Sequence, residues 1–361
     1  GVALLARRAG YRVSGQDQHT YPPMSTQLEA EGIELFEGYS PEHIDPAADL
    51  VVIGNALSRG NPAVEHVLNS GMDYTSGPRW LGENYLRGKS VIAVAGTHGK
   101  TTTASMAAWI LEHAGLNPGF LIGGIPGNFG QSARDGERFF VVEADEYDTA
   151  FFDKRAKFVH YRPSVAVLNN LEFDHADIYD NLKAIQTQFH HFVRTIRGNG
   201  TIISNGADAR LESVLEQGCW SGLERFSMQE GCEWQVELIR PDGSELVFQR
   251  HGEPVATLEW GHFGRHNALN ACAAVAAVTA AGVEPRAAVE ALAGFTGVKR
   301  RMELICDTGD VRVYDDFAHH PTAIRLTLEG LRRNVGNARV LVALEPRSNT
   351  MRAGVHIAEL G

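Results

Sequence analysis

Residues 91–111 read VIAVAGTHGKTTTASMAAWIL, and no other stretch restricts the fold as much. Val91, Ile92, Ala93 and Val94 form a short apolar run of the kind that makes a buried strand. The run enters Gly96-Thr97-His98-Gly99-Lys100-Thr101, after which a helix with an apolar face begins. Strand, glycine turn, lysine, hydroxyl and helix together make a cradle for a nucleoside triphosphate. The glycines let backbone N–H groups approach phosphate oxygens, and the helix N-terminus adds partial positive charge. Lys100 is placed to reach the β/γ-phosphates, and the Thr101 hydroxyl to ligate Mg²⁺. The longer form of this pattern has a glycine where Val94 stands, so the signal here is the shorter G-x-x-G-K-T. A surface glycine turn ahead of Lys-Thr is the competing reading, and the strand-to-helix context argues against it.

With 361 residues the chain has room for two or three domains, each with its own core. A formal net charge of −11, with no basic block to offset it, argues against nucleic acid as a partner. Cys219, Cys232, Cys272 and Cys306 are scattered, without a C-x-x-C pair, which suits reduced thiols in the cytoplasm. No apolar run approaches membrane-spanning length, and the alanine-rich segment 268–281 is too short and too small-sided to do so. The chain starts at Gly1 and stops at Gly361, and the expectation is that both termini are truncated.

Residues 1–88 alternate helix and strand: helix over 2–9, strand over 11–14 running toward Asp17, helix over 25–31, strand over 50–53 ending in Gly54-Asn55, helix over 62–69. Such alternation predicts an α/β unit. A second unit, 89–297, opens with the glycine turn and has buried strands at 139–142 and 165–168. Within it, residues 199–262 carry short strands split by Gly, Pro and Asp turns (201–204, 234–239, 245–249, 256–260), which predicts a small inserted antiparallel sheet. An alanine-rich helix follows over 267–281. A third unit, 298–361, has strands predicted at 311–314 and 339–344, with a helix starting at His320-Pro321 between them.

Acids and histidines cluster where these strands end, which is where open α/β sheets place ligands. The strand at 139–142 runs into Glu143-Ala144-Asp145-Glu146, and Leu168 into Asn169-Asn170-Leu171-Glu172-Phe173-Asp174-His175-Ala176-Asp177. Glu143, the first acid after its strand, is the expected Mg²⁺ ligand. His175, between two aspartates, could hold a second divalent ion through a neutral imidazole. Each alone also reads as a surface acid or cap, less readily for Glu143 than for His175; beside a phosphate cradle the metal reading gains. His190-His191 reads as helix surface and core edge. Asn267 and Asn270 fall on one face of a helix N-terminus, where amides suit an adenine edge or a cap. Arg300-Arg301 lies at the junction into the third unit, and Asp315-Asp316-Phe317-Ala318-His319-His320 again follows a strand.

The motifs GTHGKTTT, EADEYD, NNLEFDHAD, GRHNALN, GVKRRME and YDDFAHHPT, in this order and spacing, resemble the Mur ligases of peptidoglycan synthesis along essentially the whole chain. The resemblance implies three α/β domains: a central P-loop ATPase between two Rossmann-like domains, the first for a UDP-sugar, the last for the incoming amino compound. It implies that Gly96, Thr97, His98, Gly99, Lys100, Thr101 and Thr102 surround the ATP phosphates, with Thr101 and Glu143 on one Mg²⁺ and His175 on another. Asn267 and Asn270 would hold adenine, Arg301 a phosphate and Asp316 the ribose. Asn128 and His319 would lie near the reacting groups, Arg347 would face substrate carboxylates, and Asp17 and Asn55 would bind substrate. Some members bridge their metals with a carbamylated lysine; Gln186 stands at the corresponding place here, so that device is not invoked. The segments YPPMS, SGPRWL, GGIPGNFG, AFFDKRAKFVHY and LEPRSNTM are most similar to the branch that joins UDP-N-acetylmuramate to a murein tripeptide. The related branch that adds L-alanine to the same sugar nucleotide is the alternative. A P-loop ATPase that moves a partner and a UDP-sugar binding module without catalysis are more distant readings.

Overall fold

The apolar run at Val91 becomes the strand Ser90–Ala95, with Phe139–Glu143 on one side and Val165–Leu168 on the other, all parallel. The computed structural model describes residues 1–22, 24–346 and 349–352. Its central sheet has ten strands: Glu253–Glu259, Glu245–Arg250, Trp234–Leu238, Gly222–Ser227, Thr201–Asn205, Val165–Leu168, Ser90–Ala95, Phe139–Glu143, Gly119–Leu121 and Ala133–Arg134, in that spatial order. Side chains alternate between two cores, as a two-residue period requires. Ile92 and Val94 face the helices Lys100–His113 and Arg265–Ala280, whereas Val91, Ala93 and Ala95 face the helix Leu182–Val193. Ala271, Ala273, Ala274, Ala276 and Ala277 are fully buried, and their small side chains let the Arg265–Ala280 helix approach closely.

The register sets Val94 beside both Glu143 and Val167, so the ends of all three central strands reach one edge of the sheet together. That edge carries the glycine turn, the acids after Val142 and the Asn169–His175 loop.

Residues 199–262 do not form a sheet of their own. Thr201–Asn205 and Gly222–Ser227 extend the central sheet in parallel, and Trp234–Leu238 joins parallel to Gly222–Ser227. Only the last two strands run antiparallel. Trp234, Val236, Leu246, Phe248 and Leu258 lie in the same core as the central strands, and this shared apolar face is why the ladder continues rather than closing on itself. His251 and Gly252, at φ 52° and 81°, make the tight turn between those two strands.

In residues 1–88, Ser14–Asp17 pairs in parallel with Glu34–Glu37, and Val51–Ile53 with Tyr74–Ser76. The first strand therefore starts at Ser14 rather than Tyr11, because the Tyr11 amide still bonds to the Ala6 carbonyl of the preceding helix. Asp17 and Asn55 are both exposed at strand ends. Beyond residue 300, Glu303–Asp307 pairs antiparallel with Arg312–Asp315, and His320 caps the helix Pro321–Val335. The strand expected at 339–344 does not form. No described strand supplies it with a ladder, and Leu341, Val342 and Leu344 stay exposed. Arg347 lies outside the described residues. Among the described residues no helix is long and apolar enough to cross a membrane, and the four cysteines are free.

Candidate active site

The glycine turn is held from below by its neighbours. Gly96 and Gly99 have φ of 143° and 78°. A Cβ on Gly96 would press on Asn169 and the Asn170 backbone, and one on Gly99 would strike the Asn270 amide. The Asn170 side chain accepts from His98 N at 2.8 Å and donates to the His98 carbonyl at 3.1 Å. Glu172 N donates to Thr97 Oγ1 at 2.8 Å. The loop after Leu168 thus shapes the turn before any ligand arrives.

Lys100 opens the helix, its ammonium 2.7 Å from the Gly96 carbonyl and 2.9 and 3.2 Å from the two oxygens of Glu146. Glu146 is only 2 % exposed and also faces His175 Nε2, at 3.2 Å. Burial works against charge on all three groups, but their mutual attraction wins. The Glu146 carboxyl is held below its ordinary range by Lys100 and His175, and Lys100 and His175 titrate above theirs because of Glu146. His175 adopts φ 58°, a left-handed conformation costing about 1 kcal/mol, and its ring lies 4.2 Å from that of Tyr147. Lys157 pairs with Asp145 at 2.9 Å on the outer side.

The Thr101 hydroxyl donates to Glu143 Oε2 at 3.0 Å, and the same oxygen accepts from Gly123 N at 2.8 Å. Arg301 reaches in from the later segment, its Nη2 3.5 Å from Thr101 Oγ1. Arg300 and Met302, on either side, have φ of 60° and 49°, so the backbone turns sharply to aim Arg301 inward. Phe317 lies against both guanidiniums, 5.2 Å from each.

The structure therefore gathers the turn, Lys100, Thr101, Glu143, His175 and Arg301 at one sheet edge. Other expected residues are engaged elsewhere. Asn270 is buried beneath the turn and accepts from Asn169 Nδ2 at 3.3 Å, so its side-chain oxygen braces the cradle. Asn267 does not cap its helix, which starts at Arg265; it donates to the Phe263 carbonyl at 2.8 Å. Asn128 uses both ends of its amide on Gly294 and Thr296, bracing the segment that leads to Arg301. The Asp316 carboxylate accepts from the amides of Met302 and Ala318. His319 Nδ1 lies 3.0 Å from the Phe317 carbonyl, and its neighbour His320 is the one that meets the phosphate turn. Gln186 donates to the Arg210 carbonyl.

Sequence reasoning passed over Glu146 in favour of Glu143, although both stand in one acidic run; only the full burial of Glu146 against Lys100 separates their roles. It also passed over Glu172, which joins His98 to His320.

The donors fit divalent cations in two ways. Thr101 and Glu143 offer oxygen beside the phosphate cradle, the preference of Mg²⁺. Asp145, Glu146 and His175 place a mixed carboxylate and imidazole set within 4.8 Å of one another. His98, Glu172 and His320 are equally close, but His320 Nδ1 accepts from Thr322 N and Glu172 Oε2 lies at hydrogen-bond distance from His98 Nε2, so the ring nitrogens are already engaged.

The sequence matches the description of the Mur ligase middle domain over residues 94–278, the Mur ligase family catalytic domain over 1–88, and the Mur ligase glutamate ligase domain over 300–359. It is 54 % identical to the UDP-N-acetylmuramate–L-alanyl-γ-D-glutamyl-meso-2,6-diaminoheptandioate ligase of Escherichia coli, covering 98 % of this chain and 78 % of that protein. A UDP-N-acetylmuramate–L-alanine ligase of Renibacterium salmoninarum is 34 % identical, over 96 % of this chain and 73 % of its own length. The crystal structure of a murein peptide ligase from Psychrobacter arcticus superposes with a TM-score of 0.82 at 49 % identity, covering 97 % of this chain and 76 % of that one.

Proposed function

The chain belongs to the Mur ligase family, and on that footing we propose that it joins UDP-N-acetylmuramate to the tripeptide L-alanyl-γ-D-glutamyl-meso-diaminopimelate at the expense of ATP. The observation that carries this reading is the far greater identity to the tripeptide-adding relative than to the alanine-adding one, over nearly all of the chain. Residues 1–88 serve the sugar nucleotide, with Asp17 and Asn55 at its strand ends. Residues 89–297 bind ATP, and 298–361 begin the part that presents the amine. ATP and a sugar nucleotide as substrates set this work in the bacterial cytoplasm.

The ligation has two steps. An oxygen of the lactoyl carboxylate attacks the γ-phosphorus of ATP; its bond to ADP breaks, and an acyl phosphate forms. The tripeptide's alanine nitrogen then attacks the acyl carbon, the C–O bond to phosphate breaks, and the ammonium proton is lost as the amide forms. Lys100 moves from Glu146 toward the β/γ-phosphates, exchanging one anion for another. Glu146 keeps His175 in place while Lys100 moves. Arg301 adds charge over the phosphate chain from the later segment. Thr101 and Glu143 would hold one Mg²⁺, and His175 with its neighbouring acids a second. Bound there, Mg²⁺ would offset charge on the transferring phosphoryl group, the electrostatic contribution that dominates such reactions.

The test measures ADP and phosphate release with UDP-N-acetylmuramate plus either the tripeptide or free L-alanine. Turnover with the tripeptide alone is expected, and Lys100→Ala should lower it by roughly 10³-fold. Equal or better turnover with alanine would overturn the tripeptide reading in favour of the alanine-adding ligase.

A further inference from the structure

One carboxylate stands where the phosphate turn, the loop after Leu168 and the start of the helix Pro321–Val335 meet. Glu172 Oε2 lies 3.0 Å from His98 Nε2 and 3.4 Å from His320 Nδ1. The two imidazoles lie against each other, 4.4 Å between ring centres. The Thr322 side chain also hydrogen-bonds to Glu172, and Arg210 Nη2 lies 3.6 Å from its other oxygen. Burial alone would raise the Glu172 carboxyl, yet the hydrogen bonds from His98 and Thr322 and the nearness of the two histidines hold it down at about 2, so it remains an anion. His320 Nε2 faces the Phe173 carbonyl at 3.3 Å, and its Nδ1 accepts from Thr322 N as the cap of the helix.

The side chain of Glu172 is not what gives the turn its shape. Asn170 holds the His98 backbone, and the Thr97 contact uses the Glu172 backbone. The carboxylate looks outward from the turn, to one histidine on the turn and to two residues that begin the helix. Asp316 and His319 directly precede that helix. The carboxylate is bound by the His98 ring and by the Thr322 side chain, while the His320 ring packs on His98; these contacts persist together only while the turn and the helix start stay in register.

We infer that Glu172 is a positioning residue for the ligase reaction: it couples the seating of ATP on the phosphate turn to the placement of the 316–322 segment, through His98 on one side and Thr322, with the His320 ring packed on His98, on the other. This rests on the ATP-dependent ligase reading above. Nucleotide that fixes His98 thereby fixes His320, and the cap of the following helix, without touching either.

The test is a double-mutant cycle on the whole chain, His98→Asn, His320→Asn and both together, with Glu172→Gln and Glu172→Asp alongside. Direct ATP binding, kcat and KM for ATP, and the urea midpoint are measured for each. Glu172→Gln should weaken ATP binding and lower kcat, together by about tenfold, with Glu172→Asp recovering part of the loss. The double variant should bind ATP no worse than the weaker single variant, since the two rings touch and belong to one contact network around the carboxylate. Fold losses that multiply in the double variant would overturn the coupling, as would ATP binding unchanged in Glu172→Gln. The cycle decides the matter even if Glu172→Gln fails to fold. Wild-type turnover with the tripeptide is measured first: its absence defeats the ligase reading, whereas normal turnover with multiplicative losses defeats only the coupling.

Discussion

In Gly99→Ala the new Cβ would overlap Asn270 Oδ1 and stand 3.0 Å from Asn169 Nδ2. Two costs add. The backbone at Gly99 has φ 78°, and an alanine held there loses about 1–2 kcal/mol. Asn270 must also move, breaking its bond from Asn169 and disturbing the 2.9 Å bond from Asn169 to Thr103. Buried polar groups left unpaired in this way cost about 1–3 kcal/mol. The sum is about 3 kcal/mol, a large part of the stability of an ordinary domain. Gly115 provides the control, since its φ is 72° but nothing lies within 4 Å of its Cβ position. Gly115→Ala should lose only the backbone share, leaving about 2 kcal/mol between the two variants. Urea unfolding followed by tryptophan fluorescence reads this directly, because Trp234 lies within the sheet core and Trp109 against it. ATP binding should fall in Gly99→Ala and hold in Gly115→Ala. Equal midpoints would refute the reasoning: Asn270 would then be free to yield, and its place as a brace beneath the turn would be lost.

Glu143→Ala and His175→Ala should each raise the Mg²⁺ concentration needed for half-maximal ligation, and an unchanged titration would remove that residue from the ligand set. His266 is held neutral by burial, with a pKa of about 4 against the ordinary 6.5. The unfolded chain therefore binds the extra proton between those values, and stability is lost as pH falls from about 6.5 toward 4, by roughly 3 kcal/mol at most. Urea midpoints at pH 7.5 and 5 should differ less in His266→Asn than in the parent. Arg347→Lys should raise the KM for the tripeptide and leave that for UDP-N-acetylmuramate nearly unchanged, because lysine cannot reproduce a bidentate grip on a carboxylate. A shift in the sugar-nucleotide KM instead would assign Arg347 to the first step.

The sequence was readable wherever a single local pattern decided the outcome. The apolar run at 91–94 reads as a buried strand and is one, and the glycine turn with Lys-Thr does open the next helix. Glu143 and His175 come to the same sheet edge because strand ends in a parallel sheet converge, which the acid and histidine runs after those strands let the sequence anticipate. The strand at 201–204 was placed in the wrong kind of sheet because turn residues announce a chain reversal, not which core the next strand joins. The bracing contacts of Asn270 and Asn128 were not legible for a related reason: an amide near a site looks the same in sequence whether it faces a ligand or a backbone. Glu146 was hidden because burial against Lys100 arises from the 145–148 turn, and Glu172 because its partners lie 74 and 148 positions away. The strand expected at 339–344 has the right composition, but a strand is stable only with a partner beside it.

The order of strands in the central sheet also bears on how the chain matures during synthesis. Ser90–Ala95 emerges first among the central strands but must be flanked by Val165–Leu168, and the brace under its turn, Asn270, belongs to a helix that follows the whole antiparallel ribbon. Contacts of this span close slowly, since a long loop must be ordered before they form. A nascent chain therefore carries its phosphate cradle without the Asn270 brace for some 170 residues, and for the first 70 or so of them the strand at 91–95 also lacks its Val165–Leu168 neighbour. Nucleotide binding thus becomes possible only late in translation, so that ATP occupancy in a ribosome-bound chain would report completion of the sheet rather than the appearance of the motif.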